Sequence, residues 1–189
     1  MTTIINMKIL RLVHLLFLSG MVAGLTMASP SLATTTPNGI ESSATEAVKG
    51  TINDLIQVLD DETLKQPEQA EKRRHEIEEI IKHRVDYEEM ARRALGAPWP
   101  TLSYRERNEF VDLFVQLLRD TFAGRITERS DEQVVFLGEL REDAFAEVKA
   151  QMKGRKINTP IDFRLNHRAH EWWVYDIVID GASIVSNYR

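Results

Sequence analysis

Cysteine is absent from all 189 residues. That absence excludes a disulfide framework, a thiolate metal site and a lipidated-cysteine anchor. Basic charge is also short, with 24 Lys and Arg against 29 Asp and Glu and a formal net charge of −5. An acidic chain is poorly suited to nucleic acid or to lasting attachment to an anionic membrane surface. There is no phosphate-binding glycine loop, no Gly-x-Ser-x-Gly elbow and no His-Glu-x-x-His helix, so the familiar nucleotide, hydrolase and metalloprotease motifs are missing. What is present, 43% hydrophobic and 28% charged residues, is the composition of one ordinary globular domain.

The N-terminus reads as an export signal over residues 1–33. Lys8 and Arg11 form a positive start, Leu12–Leu25 an apolar run, and Ser31-Leu32-Ala33 a small-residue cleavage site before Thr34. Cleavage would remove two of the 24 basic residues and no acidic one, leaving 22 against 29 and a net charge of −7. Residues 34–43, rich in Thr, Ser, Pro and Gly, read as a flexible leader, and 44–189 as a single domain. The placement implied is outside the cytoplasm.

Along that domain the apolar spacing is first helical. Ala47, Val48, Ile52, Leu55, Ile56 and Leu59 mark one helix, and Ile77, Ile80 and Ile81 a second that Pro67 introduces. The dense charge from Glu68 to Arg84 reads as a solvated helix face. Asp86 and Glu89 have capping-box spacing ahead of a short stripe ending at Gly96, and Ser103 and Glu106 repeat it ahead of a long helix. That long helix carries Phe110, Phe114, Leu117 and Phe122; Trp99 reads as a loop residue folded onto the core. After Ser130 the period becomes 2. Four strands are expected at Gln133–Leu140, Ala144–Met152, Pro160–Asn166 and Trp172–Asp180, with Asp180-Gly181 as a turn. On the last strand, simple alternation puts Trp173, Tyr175, Ile177 and Ile179 on one face and Trp172, Val174, Asp176 and Val178 on the other. Helices followed by a short-looped antiparallel meander describe an α+β domain, helices packed on one face of a curved four-stranded sheet.

Reactive chemistry is sparse. His167 and His170 have ligand-like spacing but sit in a turn without a third ligand, so no metal and no cofactor is expected. Asp162 and Asp176, inside apolar runs, are the candidates for a general base; the alternative is that Asp176 bonds backbone or arginine groups. A small-residue sheet face beside a bulky aromatic helix suits a binder of an apolar ligand better than an enzyme.

Two stretches carry a family resemblance. Val85-Asp86-Tyr87 through Leu95-Gly96, then Trp99, Phe110 and Phe114, is one. The other is Trp172-x-Val174-Tyr175-Asp176-Ile177-Val178-x-x-Gly181-x-Ser183-Ile184-Val185-x-Asn187-Tyr188-Arg189. Both resemble the MlaC, or toluene-tolerance, family of auxiliary components of ABC transport systems, from about Ala44 to the end. The resemblance implies a nuclear transport factor 2-like cone with an apolar pocket for phospholipid acyl chains. It implies a shuttle between an outer-membrane lipoprotein complex and an inner-membrane MCE-type ABC transporter, maintaining outer-membrane lipid asymmetry without catalysis. On that reading the pocket wall comprises Met90, Leu95, Phe110, Phe114, Leu117, Phe122, Val148, Phe163, Trp172 and Val174. A hopanoid-associated carrier, or a cone-fold isomerase or hydratase using Asp162 or Asp176 as base, is the alternative. Glu106 stands where relatives usually have Gln. Relatives also continue past Asn-Tyr-Arg into a further helix, so a shortened member with a more open pocket is expected.

Overall fold

Ser43 starts the first helix: its hydroxyl accepts the Glu46 N–H at 3.1 Å, and α1 runs Ala44–Asp60. The computed structural model describes residues 43–126, 133–154 and 157–189, with the side chains of 122–126 left aside. The expected signal and leader, 1–42, lie outside these. A 3-10 turn at Pro67–Gln69 leads into α2 (Ala70–Lys82), whose solvent face is laced with pairs such as Arg74–Glu71 and Arg74–Glu78. α3 (Tyr87–Leu95) has Asp86 as its cap, accepting the Glu89 N–H at 3.1 Å, and stops at Gly96, where φ is +68°. Only glycine takes that conformation without strain. The capping box here is half formed, because the Glu89 carboxylate turns to Arg92 and Arg93. α4 (Tyr104–Ile126) opens with a complete box: Glu106 accepts from the Ser103 N–H and hydroxyl at 2.8 and 2.7 Å.

The sheet is a meander in the order β1 (Gln133–Glu142), β2 (Phe145–Lys153), β3 (Asn158–Arg168), β4 (Glu171–Ile179) and β5 (Ala182–Ser183), each pair antiparallel. It has five strands rather than the expected four, because the Asp180-Gly181 turn sends two further residues back along β4. Both turn residues have positive φ, 50° and 79°, which matches the twist of a tight hairpin. α5 (Ile184–Asn187) follows, capped by Ser183.

Two bulges decide what each face carries. In β1, Phe136 pairs with Ala150 and Gly138 with Lys149, so Leu137 is skipped. In β4, Val174 pairs with Leu165 and Asp176 with Arg164, so Tyr175 is skipped. Directly paired residues share a face, and each skip reverses the alternation. The simple alternation expected for β4 is therefore corrected. Trp172 and Val174 share the inner face with Ile177 and Ile179, while Asp176 and Val178 turn to the outer one. Likewise Glu139 and Arg141 join Val134 and Phe136 on the inner face.

The helices divide between the two faces. α1 lies on the inner one, where Ala44 and Val48 meet Ala146, Val148, Ala150, Phe163, Leu165, Trp172 and Val174 in one buried cluster. α3, α4 and α5 form a second, from Met90, Ala91, Ala94, Trp99, Phe114, Leu118 and Val185, and Arg93 of α3 reaches outer-face Phe145 and Tyr175. Between them the chain crosses the β4 edge at residues 84–86. The Asp86 N–H donates to the Val174 carbonyl at 2.9 Å, and the Val174 N–H to the Arg84 carbonyl at 2.8 Å.

Candidate functional site

Among the described residues the inner face is mostly apolar, apart from Glu139 and Arg141 near the β1–β2 turn, and is covered over only part of its length. Toward the β1–β2 and β3–β4 turns, α1 seals it, and Val148, Leu165 and Trp172 are at most 1% exposed. Toward the β2–β3 turn the inner-face residues Val134, Phe136, Met152, Ile161, Ile177 and Ile179 are only half-buried. Val134, Phe136, Ile161 and Ile177 pack on the edge of the sealed cluster beside Ala47 and Ile52 of α1. Among the described residues this open half of the face is a continuous half-buried apolar stretch, and it presents no carboxylate of its own.

Polar contacts hold α1 across the sealed half. The Leu137 bulge turns Glu139 inward, where its carboxylate accepts from the Thr45 N–H at 2.8 Å and hydroxyl at 2.7 Å. An acid at a helix N-terminus is also favoured by the helix dipole. Arg84 of the crossing segment donates to the Thr51 hydroxyl at 3.0 Å and the Trp172 carbonyl at 2.6 Å. Lys49 reaches over the Phe136 ring at 5.5 Å, on the flank of α1.

The ten expected wall residues do not come together in one place. Val148, Phe163, Trp172 and Val174 are buried in the inner-face cluster. Met90 and Phe114 are buried in the helical cluster, with Leu95 and Phe110 packed against it. Leu117 is 45% exposed on α4, and the Phe122 side chain lies outside the described residues. The half-buried residues of the open end were not singled out from sequence. Four of them, Met152, Ile161, Ile177 and Ile179, are alternating apolar positions on their strands; nothing in the sequence separates wall from core.

The candidate bases have other surroundings. Asp176 is 3% exposed and accepts from the Ser183 hydroxyl at 2.7 Å, the Val185 N–H at 3.1 Å and Arg164 at 3.2 Å. It fastens the C-terminal segment to β4, the backbone-and-arginine role. Asp162 is half-buried on the outer face, paired across strands with Lys149 and Val178. His167 lies beside the Trp172 ring at 4.8 Å, and His170 sits at the hairpin tip with φ +65°. Among the described residues no group of three His, Asp or Glu is placed to hold a metal, and no helix is long and apolar enough to cross a membrane. Two small recesses, of about 160 Å³ beside Thr51, Asp54, Ile80, His83 and Arg84 and about 250 Å³ beside Glu88, Asn108, Val111 and Asp112, have walls of mixed polar and apolar character. Neither suits an apolar ligand.

Comparison with known proteins agrees with this architecture. No curated protein matches. Among solved structures, the phospholipid-binding protein from Ralstonia solanacearum, determined in complex with a phospholipid, superposes with a TM-score of 0.67 at 22% identity, over 78% of this chain and 83% of that one. At that identity the likeness establishes the fold. The family described as MlaC protein matches residues 49–189, from the second turn of α1 through the last strand and α5. The chain belongs to the MlaC family.

Proposed function

We propose that this protein binds a phospholipid by its acyl chains on the open half of the inner sheet face and carries it through the periplasm. The observation that carries the reading is the row of half-buried apolar residues from Val134 to Ile179, continuous with a core but uncovered by it. A contiguous apolar row only partly shielded from water is the kind of surface that ligands cover. Each CH₂ moved from water onto such a surface contributes about 0.8 kcal/mol, so acyl chains supply ample affinity without a charged anchor. Family membership and the phospholipid complex of the Ralstonia protein support the same ligand class. The finer role is delivery between an outer-membrane lipoprotein complex and an inner-membrane MCE-type ABC transporter, in support of lipid asymmetry. Membership of the MlaC family is what supports it.

The test is direct. Purified protein is extracted and its lipid identified by mass spectrometry, and delipidated protein is incubated with vesicles of a fluorescent phospholipid. Co-purifying or acquired phospholipid, lost in Phe136→Asp and Ile177→Asp variants that still melt cooperatively, is the expected result. A protein that holds and acquires no lipid would end the carrier reading.

A further inference from the structure

One flank of α1 borders the open half and carries charge and apolar surface in succession. Lys49, Ile52 and Ile56 stand at i, i+3 and i+7, on one side of the helix. Thr51, on the far side, is held by Arg84 of the crossing segment, and the Lys49 flank turns toward β1. Ile52 packs at the edge of the sealed cluster, as Val134 and Phe136 do. Ile56, one turn further on, is 48% exposed. The earlier apolar turns of the same helix are sealed at Ala44 and Val48, so Ile56 extends the open apolar surface rather than the core. The Lys49 Nζ lies over the ring of Phe136, a wall residue, at 5.5 Å, and donates to the Glu46 carboxylate at 2.9 Å. An ammonium has three donors, so the bond to exposed Glu46 does not exhaust it.

We propose that Lys49 contacts the phosphate of the bound phospholipid, at the line where acyl chains lying on Phe136, Ile52 and Ile56 give way to water. The proposal rests on the carrier reading above and names a headgroup contact for it. A phosphodiester cannot follow its chains onto the apolar row, because an unpaired charge there is costly, so it stops at the border. Exposed Asp180, in the β4–β5 turn at the β4 side of that border, repels it. Lys49, at the β1 side, holds its ammonium directly over the wall, where water screens an ion pair less than in open solvent. Its side chain is still 42% exposed, so the contact orients the lipid and adds a modest factor in binding, while the chains supply most of the affinity.

The probes are phosphatidylglycerol and diacylglycerol with the same short acyl chains, each displacing an uncharged apolar dye from delipidated protein. Lys49→Gln should weaken phosphatidylglycerol about fivefold, the upper range for an exposed ion pair, and leave diacylglycerol and the melting temperature unchanged. High salt should narrow the difference. Ile56→Asn should weaken both ligands several-fold and equally, since it touches chains alone. Lys153→Gln, which removes the same charge at the end of β2, should change neither. Lys49→Gln that binds phosphatidylglycerol as wild type does, or that loses both ligands equally, would overturn the phosphate contact. So would Lys153→Gln reproducing the loss, which would make it a matter of overall charge, or inorganic phosphate competing with the lipid, which would make Lys49 a site for the free ion. An Ile56→Asn variant unchanged toward both ligands would remove the chains from this flank and overturn the placement. Wild type that binds neither ligand sinks the carrier reading and the contact with it; wild type that binds both, with Lys49→Gln unaltered, sinks the contact alone.

Discussion

Removing the Asp176 carboxylate should unfasten the end of the chain. In Asp176→Ala three donors lose one acceptor: the Ser183 hydroxyl, the Val185 N–H and Arg164. A hydrogen bond to a charged group is worth about 1.5–3 kcal/mol net, but three bonds to one carboxylate are not additive. Breaking a buried ion pair costs about 3–5 kcal/mol. Arg164 keeps 39% of its side chain in solvent and a second partner in Glu147, so its loss is partly relieved by water. The buried Val185 N–H has no such relief. We expect a loss of about 3 kcal/mol, which at a urea m-value of about 2 kcal/mol/M moves the midpoint down by about 1.5 M. Asp176→Asn keeps one acceptor oxygen and should lose about half as much. The assay is urea unfolding followed by circular dichroism, with hydrogen exchange at Val185 as a local readout. An alanine variant within 1 kcal/mol of wild type, or an unchanged Val185 exchange rate, would refute the fastening role.

Three further outcomes follow from the packing. Leu165→Ala, at a site with no exposure, should cost about 2–5 kcal/mol, read from the same unfolding curves. Glu139→Gln should weaken the hold on Thr45 by about 1 kcal/mol and speed release of fluorescent lipid; an unchanged release rate would mean that α1 does not govern it. Burial pushes the Glu89 carboxyl up, but hydrogen bonds from Arg92 and Arg93 outweigh this and leave it below the ordinary 4.5. A depressed carboxyl adds stability above the unfolded value that is lost as pH falls through the folded one. Glu89→Gln should therefore be less stable than wild type at neutral pH, by about 1 kcal/mol, since the Arg92 and Arg93 side chains are 48% and 32% exposed and solvent screens the pairs. Thermal melts should converge as pH falls below 4.5.

Much of the fold was legible because it rests on short-range chemistry. Ser103 with Glu106, Gly96, and Asp180 with Gly181 each act within a few residues, and each appears where its spacing indicates. The four long strands were legible from their period of 2. What escaped depends on partners distant in sequence. β5 is two residues long, too short to display a period. The crossing at Val85 exists only because Val174 offers both its N–H and its carbonyl. The bulges leave no trace in composition, since Leu137 and Tyr175 are ordinary strand residues. The site was half legible for the same reason. Val148 and Ile177 are both apolar inner-face residues, and only the path of α1 makes one core and the other surface.

The skipped Tyr175 gives β4 something like a reading frame. Residues before it and after it are in opposite phase by number, and one unpaired letter between them lets both halves face the same core. Deleting that letter would leave Val174 followed directly by Asp176 in plain alternation, so Trp172 and Val174 would stay on the inner face and only the bulge would go. Straightening the bulge with Tyr175 still in the chain is what would turn the first half of the strand over, bringing Trp172 and Val174 out of the core. The outward side chain that the extra residue supplies is the one Arg93 covers at 3.9 Å. The bulge's geometry, more than the residue that fills it, is what this segment has to preserve.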